Sequence, residues 1–133
     1  MAKYVYPAVF TKEDDGGYSV LFPDIEGCYT DGDDMPGALE MAEDALCLML
    51  YDMEEERKEI PPPSDSKTIK ADKNSVVSLI CCDTIEYRRF YDTKAVKKTL
   101  SIPAWLNNQA EKANAPFSQI LQQGLKEYLH LAE

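Results

Sequence analysis

The side chains with the most chemical potential sit in two separate stretches of the chain. Asp24, Glu26, Asp31, Asp33 and Asp34 crowd a single short segment. Clustered carboxylates can hold Mg²⁺ for phosphoryl chemistry, or present negative charge to a cationic partner. These acids fall in turns and at a helix start, and no carboxylate interrupts the apolar runs 5–10 and 19–22, where core-facing ligands would project. His130 is the only histidine, near the C-terminus and without a local partner for a catalytic dyad. Cys28, Cys47, Cys81 and Cys82 form no C-x-x-C pair, so a transition-metal site lacks ligands. The expectation is no catalytic residue, no metal and no cofactor: not an enzyme.

The second stretch is Lys97-Lys98-Thr99-Leu100-Ser101-Ile102, followed by Pro103. A strand turns successive side chains to opposite faces. Leu100 and Ile102 then share an apolar face, and Lys97, Thr99 and Ser101 share a polar one. The major groove of DNA admits a two-stranded β-ribbon, and these three side chains carry donors and acceptors suited to base edges. A lone strand leaves both edges unpaired, so the natural partner is the same strand of a second copy. Lys98 falls on the apolar parity, where its stem must snorkel outwards.

Two helices are expected after that strand. Pro103 suits a first helical turn, where its missing N–H costs nothing, and Trp105, Leu106, Ala110 and Ala113 make one stripe. Asn114-Ala115 break the chain. Pro116 opens a second helix, in which Phe117, Ile120, Leu121, Leu125, Tyr128 and Leu129 follow the helical period. Phe117 and Ser118 would offer backbone N–H groups to a DNA phosphate, since Pro116 has none. Strand, helix, helix within residues 94–133 is the layout of a ribbon-helix-helix module. Its dimer core would be Leu100, Ile102, Trp105, Leu106, Leu121 and Leu125.

Charge separates the same two regions. From residue 93 onward there are five Lys and three Glu, a net of +2; the whole chain carries −10, so residues 1–92 carry −12. Only the tail could approach a polyanion without strong repulsion, whereas the front attracts something basic. No apolar run approaches the roughly 18 residues needed to cross a bilayer. The start Met1-Ala2-Lys3-Tyr4 carries no apolar leader, and the cysteines read as small buried hydrophobes of a reducing compartment. A cytoplasmic location is expected.

The front reads β-β-β-α-β. Residues 4–10 and 18–22 are strands joined by the turn Asp14-Asp15-Gly16-Gly17, and 28–30 is a short third strand. Asp33 or Asp34 caps a helix with Pro36 in its first turn. The stripe Leu39, Ala42, Leu46, Met49, Leu50 and Met53 carries that helix to about Glu56, and Glu54-Glu55-Glu56 reads as its exposed end. After Pro61-Pro62-Pro63, residues 76–80 return to the sheet as a buried strand. The polar stretch 87–94 is the expected join. The fold class is α+β, with domains 1–90 and 94–133.

A resemblance adds to this. The run Gly17-Tyr18-Ser19-Val20-Leu21-Phe22-Pro23-Asp24-Ile25-Glu26-Gly27-Cys28, with Thr30-Asp31-Gly32-Asp33, resembles the signature of HicB antitoxins. Residues 94–106 and 117–122 are similar to the ribbon-helix-helix form of that family. Pro116 departs from the pattern at the phosphate-facing helix start. The resemblance implies a front domain like a truncated ribonuclease H fold without its catalytic carboxylates. It also implies that this domain covers a small basic mRNA-cleaving HicA toxin, while the tail binds double-stranded operator DNA and represses the operon. Asp24, Glu26, Asp31, Asp33 and Asp34 are then candidate toxin contacts, and the oligomer is a homodimer or a higher even-numbered assembly without membrane attachment. The competing reading is a ligand-responsive ribbon-helix-helix repressor whose front domain binds a metabolite.

Overall fold

A computed structural model describes residues 3–131. The chain divides between Lys94 and Ala95 into two compact units, and each is described by itself.

The front unit is built on four antiparallel strands in the order β3-β2-β1-β4: β1 Lys3–Lys12, β2 Tyr18–Leu21, β3 Tyr29–Gly32 and β4 Ser75–Asp83. Alternation along β1 decides its faces. Tyr6, Ala8 and Phe10 are buried beneath the helix, with Val20 from β2 and Ile80 and Cys82 from β4. Pro7 sits in β1, which is a central strand, yet β2 pairs with β1 only from Val9 onward. At Pro7 the strand therefore has a neighbour on one side only, where a missing N–H is tolerated.

Two turns fix the strand register. Between β1 and β2, Gly16 has φ +90°, Glu13 N–H donates to the Gly17 carbonyl at 2.8 Å, and Gly17 N–H donates to Asp15 Oδ1 at 2.9 Å. Between β2 and β3, Ile25 and Cys28 are folded inward as a plug under the sheet end. Burial pushes the Cys28 thiol up to about 11.

Helix α1, Met35–Glu55, lies across one face of the sheet. Asp34 is its cap, its carboxylate accepting from Gly37 N–H at 2.8 Å; Asp33 does not take that role. The buried residues are Ala38, Ala42, Leu46, Cys47 and Leu50. This corrects the expected stripe: Leu39 is exposed, and Met49 and Met53 are half-buried. Near its start α1 approaches β3 closely, and a Cβ on Gly32 would lie 2.4 Å from Ala38 N; further along, Leu46 and Leu50 fill the core. Cys47 of α1 and Cys82 of β4 are both buried in the core. Cys81, on the opposite parity, is exposed rather than buried.

Residues 84–91 correct the sequence reading further. The stretch assigned to a polar join begins inside helix α2, Thr84–Tyr91, capped by Asp83, which accepts from Ile85 N–H at 3.0 Å. Its polar look conceals tertiary partners: Arg88 bonds Glu54 and Glu55 of α1 and lies over the Tyr51 ring.

The second unit holds helices α3, Ala104–Lys112, and α4, Phe117–Tyr128. Asn114, at φ +52°, ends the first as expected, with Ala115 N–H donating to the Ala110 carbonyl at 2.9 Å. His130 does the same for α4 at φ +57°, which gives the only histidine a backbone role. Residues 92–103 carry neither helix nor strand. A single chain does not supply the second strand that a ribbon requires.

Candidate functional site

Strand geometry splits the five expected front-unit carboxylates into two groups. Asp24 and Glu26 lie in the turn beyond the Leu21–Tyr29 pair, whereas Asp31 and Asp33 lie at the other end of β3, by the Tyr18–Gly32 pair. Asp24 is internally engaged, accepting from Ser64 N–H at 3.0 Å and from the Ser64 hydroxyl. Asp34 is occupied as the helix cap. Glu26, Asp31 and Asp33 are exposed.

Asp31 and Asp33 instead join two acids that the sequence reading passed over. A shallow cleft of about 550 Å³ is lined by Glu13 and Asp15 from the β1–β2 turn, by Tyr18 and Ser19, and by Asp31 and Asp33. The hairpin register brings the turn and the strand end together. Among the described residues, no group of three or more His, Cys, Asp or Glu is placed to hold a metal ion.

Glu54 is the other residue missed. Expected at an exposed helix end, it is half-buried and accepts from Tyr4 Oη at 2.8 Å, Thr84 Oγ1 at 3.0 Å and Arg88 Nη2 at 3.1 Å. Burial first, then the bond to Glu54, pushes the Tyr4 phenol up to about 12. This cluster fastens β1, α1 and α2 together. Local sequence gives no sign of it, because Glu54 lies 30 or more positions from each of its three partners.

In the second unit no described residue is buried. Trp105 is 68% exposed, and Leu100, Ile102, Leu106, Leu121 and Leu125 are all exposed as well. Leu100 and Ile102 line an open cleft of about 820 Å³ together with Leu106, Phe117, Ile120 and Leu121. Lys97 and Ser118 also border it, while Thr99, Ser101, Trp105 and Leu125 lie outside its lining. Neither Pro103 nor Pro116 caps its helix with a side-chain bond.

The family model described as "HicB_like antitoxin of bacterial toxin-antitoxin system" matches residues 6–124. The chain belongs to this family. Two curated relatives from Photorhabdus laumondii agree. This HicB-like chain is 46% identical to Antitoxin HicB 2 over 59 residues, 44% of the chain and 42% of the relative. It is 43% identical to Antitoxin HicB 1 over 58 residues, 44% of the chain and 37% of the relative. The matched part thus spans about two fifths of each curated relative.

Among solved structures, the HicB-like chain is similar to one from a toxin-antitoxin complex of Streptococcus pneumoniae, with a TM-score of 0.61, 28% identity, and coverage of 95% of this chain and 99% of that one. It shares its fold with a Burkholderia pseudomallei antitoxin HicB at a TM-score of 0.55 and 20% identity, covering 95% and 98% of the two chains.

Proposed function

We propose that this HicB-like protein neutralises a small, basic, RNA-cleaving HicA-like toxin through its front portion, residues 1–90, and represses its own operon through residues 94–133. The observation that carries the reading is the contrast between the two units. One has a closed core and a strong acidic excess; the other has a slight basic excess and apolar side chains that one copy leaves in solvent. A toxin that cleaves RNA needs a cationic surface for phosphates, and an acidic domain can occupy that surface.

The tail is read as a ribbon-helix-helix module. Pairing of residues 97–102 with the same segment of a second copy would satisfy the strand edges and cover Leu100, Ile102, Trp105, Leu106, Leu121 and Leu125. Lys97, Thr99 and Ser101 would then face the major groove, with Phe117 and Ser118 at a phosphate. The front sheet with α1 across one face is read as a truncated ribonuclease H fold without catalytic acids, serving as a cover and not as an enzyme, in the cytoplasm.

Replacing Lys97, Thr99 and Ser101 singly by Ala tests the division of labour. Each change should weaken operator binding by about 1–3 kcal/mol per lost base contact while toxin neutralisation stays intact. Equal loss of both activities would overturn the reading. A stoichiometric small molecule in place of a basic polypeptide, found by intact-mass analysis of the complex from the native cell, would favour a ligand-responsive repressor.

A further inference from the structure

Helix α1 covers one face of the front sheet. On the other, strand pairing lines up side chains in rows across the strands. One row is apolar from edge to edge, Val77, Val9, Leu21 and Tyr29; the next is polar and ends in an acid, Ser75, Thr11, Ser19 and Asp31. Leu79, opposite the buried Pro7, and Cys81, opposite Val5, extend the apolar side. Exposure is high where it counts: Tyr29 72%, Leu79 58%, Leu21 52% and Val5 46%. An antiparallel sheet with one solvated face ordinarily turns polar side chains outward on it. A contiguous exposed apolar patch marks an interaction surface.

We propose that the basic toxin seats on this outer sheet face, anchored on Leu21, Tyr29 and Leu79, with its cations reaching the acidic cleft at Glu13, Asp15, Asp31 and Asp33. This inference rests on the antitoxin reading and supplies its docking surface. Charge selects the occupant. Residues 1–94 hold ten Lys and Arg against twenty-one Asp and Glu, a net of −11. A second copy stacked here brings two such excesses together, whereas a basic protein brings opposite charges together. The polar row lies one pleat repeat, roughly 7 Å, from the apolar row, so a single partner can fill the patch and engage the carboxylates at once. Apolar anchors then carry the affinity, and the acids fix orientation and speed encounter.

The test uses the full chain and the Lys/Arg-rich toxin encoded beside it, made inactive by substitution of its own catalytic residue. The double variant Tyr29→Ser with Leu79→Ser should weaken binding by about thirtyfold or more, the range of interface anchors. Its circular dichroism and melting should match the parent, since both side chains are already exposed. Asp31→Lys should slow association. Glu40→Lys, in a separate acidic groove with Glu43, Asp44 and Glu86, should bind as the parent does. Parental binding by the Tyr29/Leu79 variant overturns this surface and leaves the antitoxin reading standing. Failure of the parent chain to bind the toxin overturns both. A change in the free chain's mass by light scattering in the Tyr29/Leu79 variant assigns the face to a second copy and overturns the proposal.

Discussion

The Tyr4 hydroxyl donates a 2.8 Å hydrogen bond to the Glu54 carboxylate, joining the start of β1 to the last turn of α1. Glu54 also accepts from Thr84 and Arg88, so one carboxylate ties three elements.

Tyr4→Phe removes one of those three donors and should cost about 1 kcal/mol in urea unfolding. Burial, with the bond to Glu54 second, also sets a pH dependence. The phenol, ordinarily near 10, is pushed up to about 12 in the folded chain. A pKa raised on folding contributes stability that is complete below about 10 and lost as pH rises to about 12. The parent should therefore lose stability across that alkaline window more steeply than Tyr4→Phe.

Gly32→Ala should be among the most damaging small substitutions in the front unit. Its Cβ would lie 2.4 Å from Ala38 N and 2.6 Å from Ala38 Cα, both backbone atoms. Overpacking of that kind costs about 1–3 kcal/mol or more. Gly124→Ala, in open space within α4, should instead gain about 0.5–1 kcal/mol of helix stability. Thermal unfolding followed by circular dichroism compares the two.

Asp34→Ala should cost about 1 kcal/mol through loss of the helix cap. Asp33→Ala should stay within about 0.5 kcal/mol, as expected of a surface change. A reversed order would mean that the cap assignment is wrong.

Leu100→Glu should convert the proposed tail dimer to monomers in light scattering, because dimerisation would bury an unpaired charge. Persistence of the dimer would place the subunit contact elsewhere.

Local chemistry was enough to read much of this protein from its residues. Alternation along residues 4–10, the Asp14-Asp15-Gly16-Gly17 turn, a helix start at Asp33 or Asp34 ahead of Pro36 and the Asn114 break are short-range signals, and the structure has each of them, with Asp34 as the cap. The 3.6-residue period gave α1, α3 and α4 for the same reason. The period did not give the phase of α1. Leu39 and Met53 are as apolar as Leu46, yet the face that packs into the core is the one carrying Ala38, Ala42, Leu46, Cys47 and Leu50, with the close backbone approach at Gly32 and Ala38.

Tertiary structure alone decided the rest. Helix α2 and the buried role of Glu54 depend on partners 30 or more positions away, and a polar segment looks the same in sequence whether those partners exist or not. The acids at positions 24–34 form one cluster along the chain, but they fall at opposite ends of β2 and β3 because a strand separates its two ends in space. The apolar row Val77-Val9-Leu21-Tyr29 exists only once register aligns four strands. Sequence fixes which side chains are available within a few residues; the pairing of distant strands determines which of them share a surface.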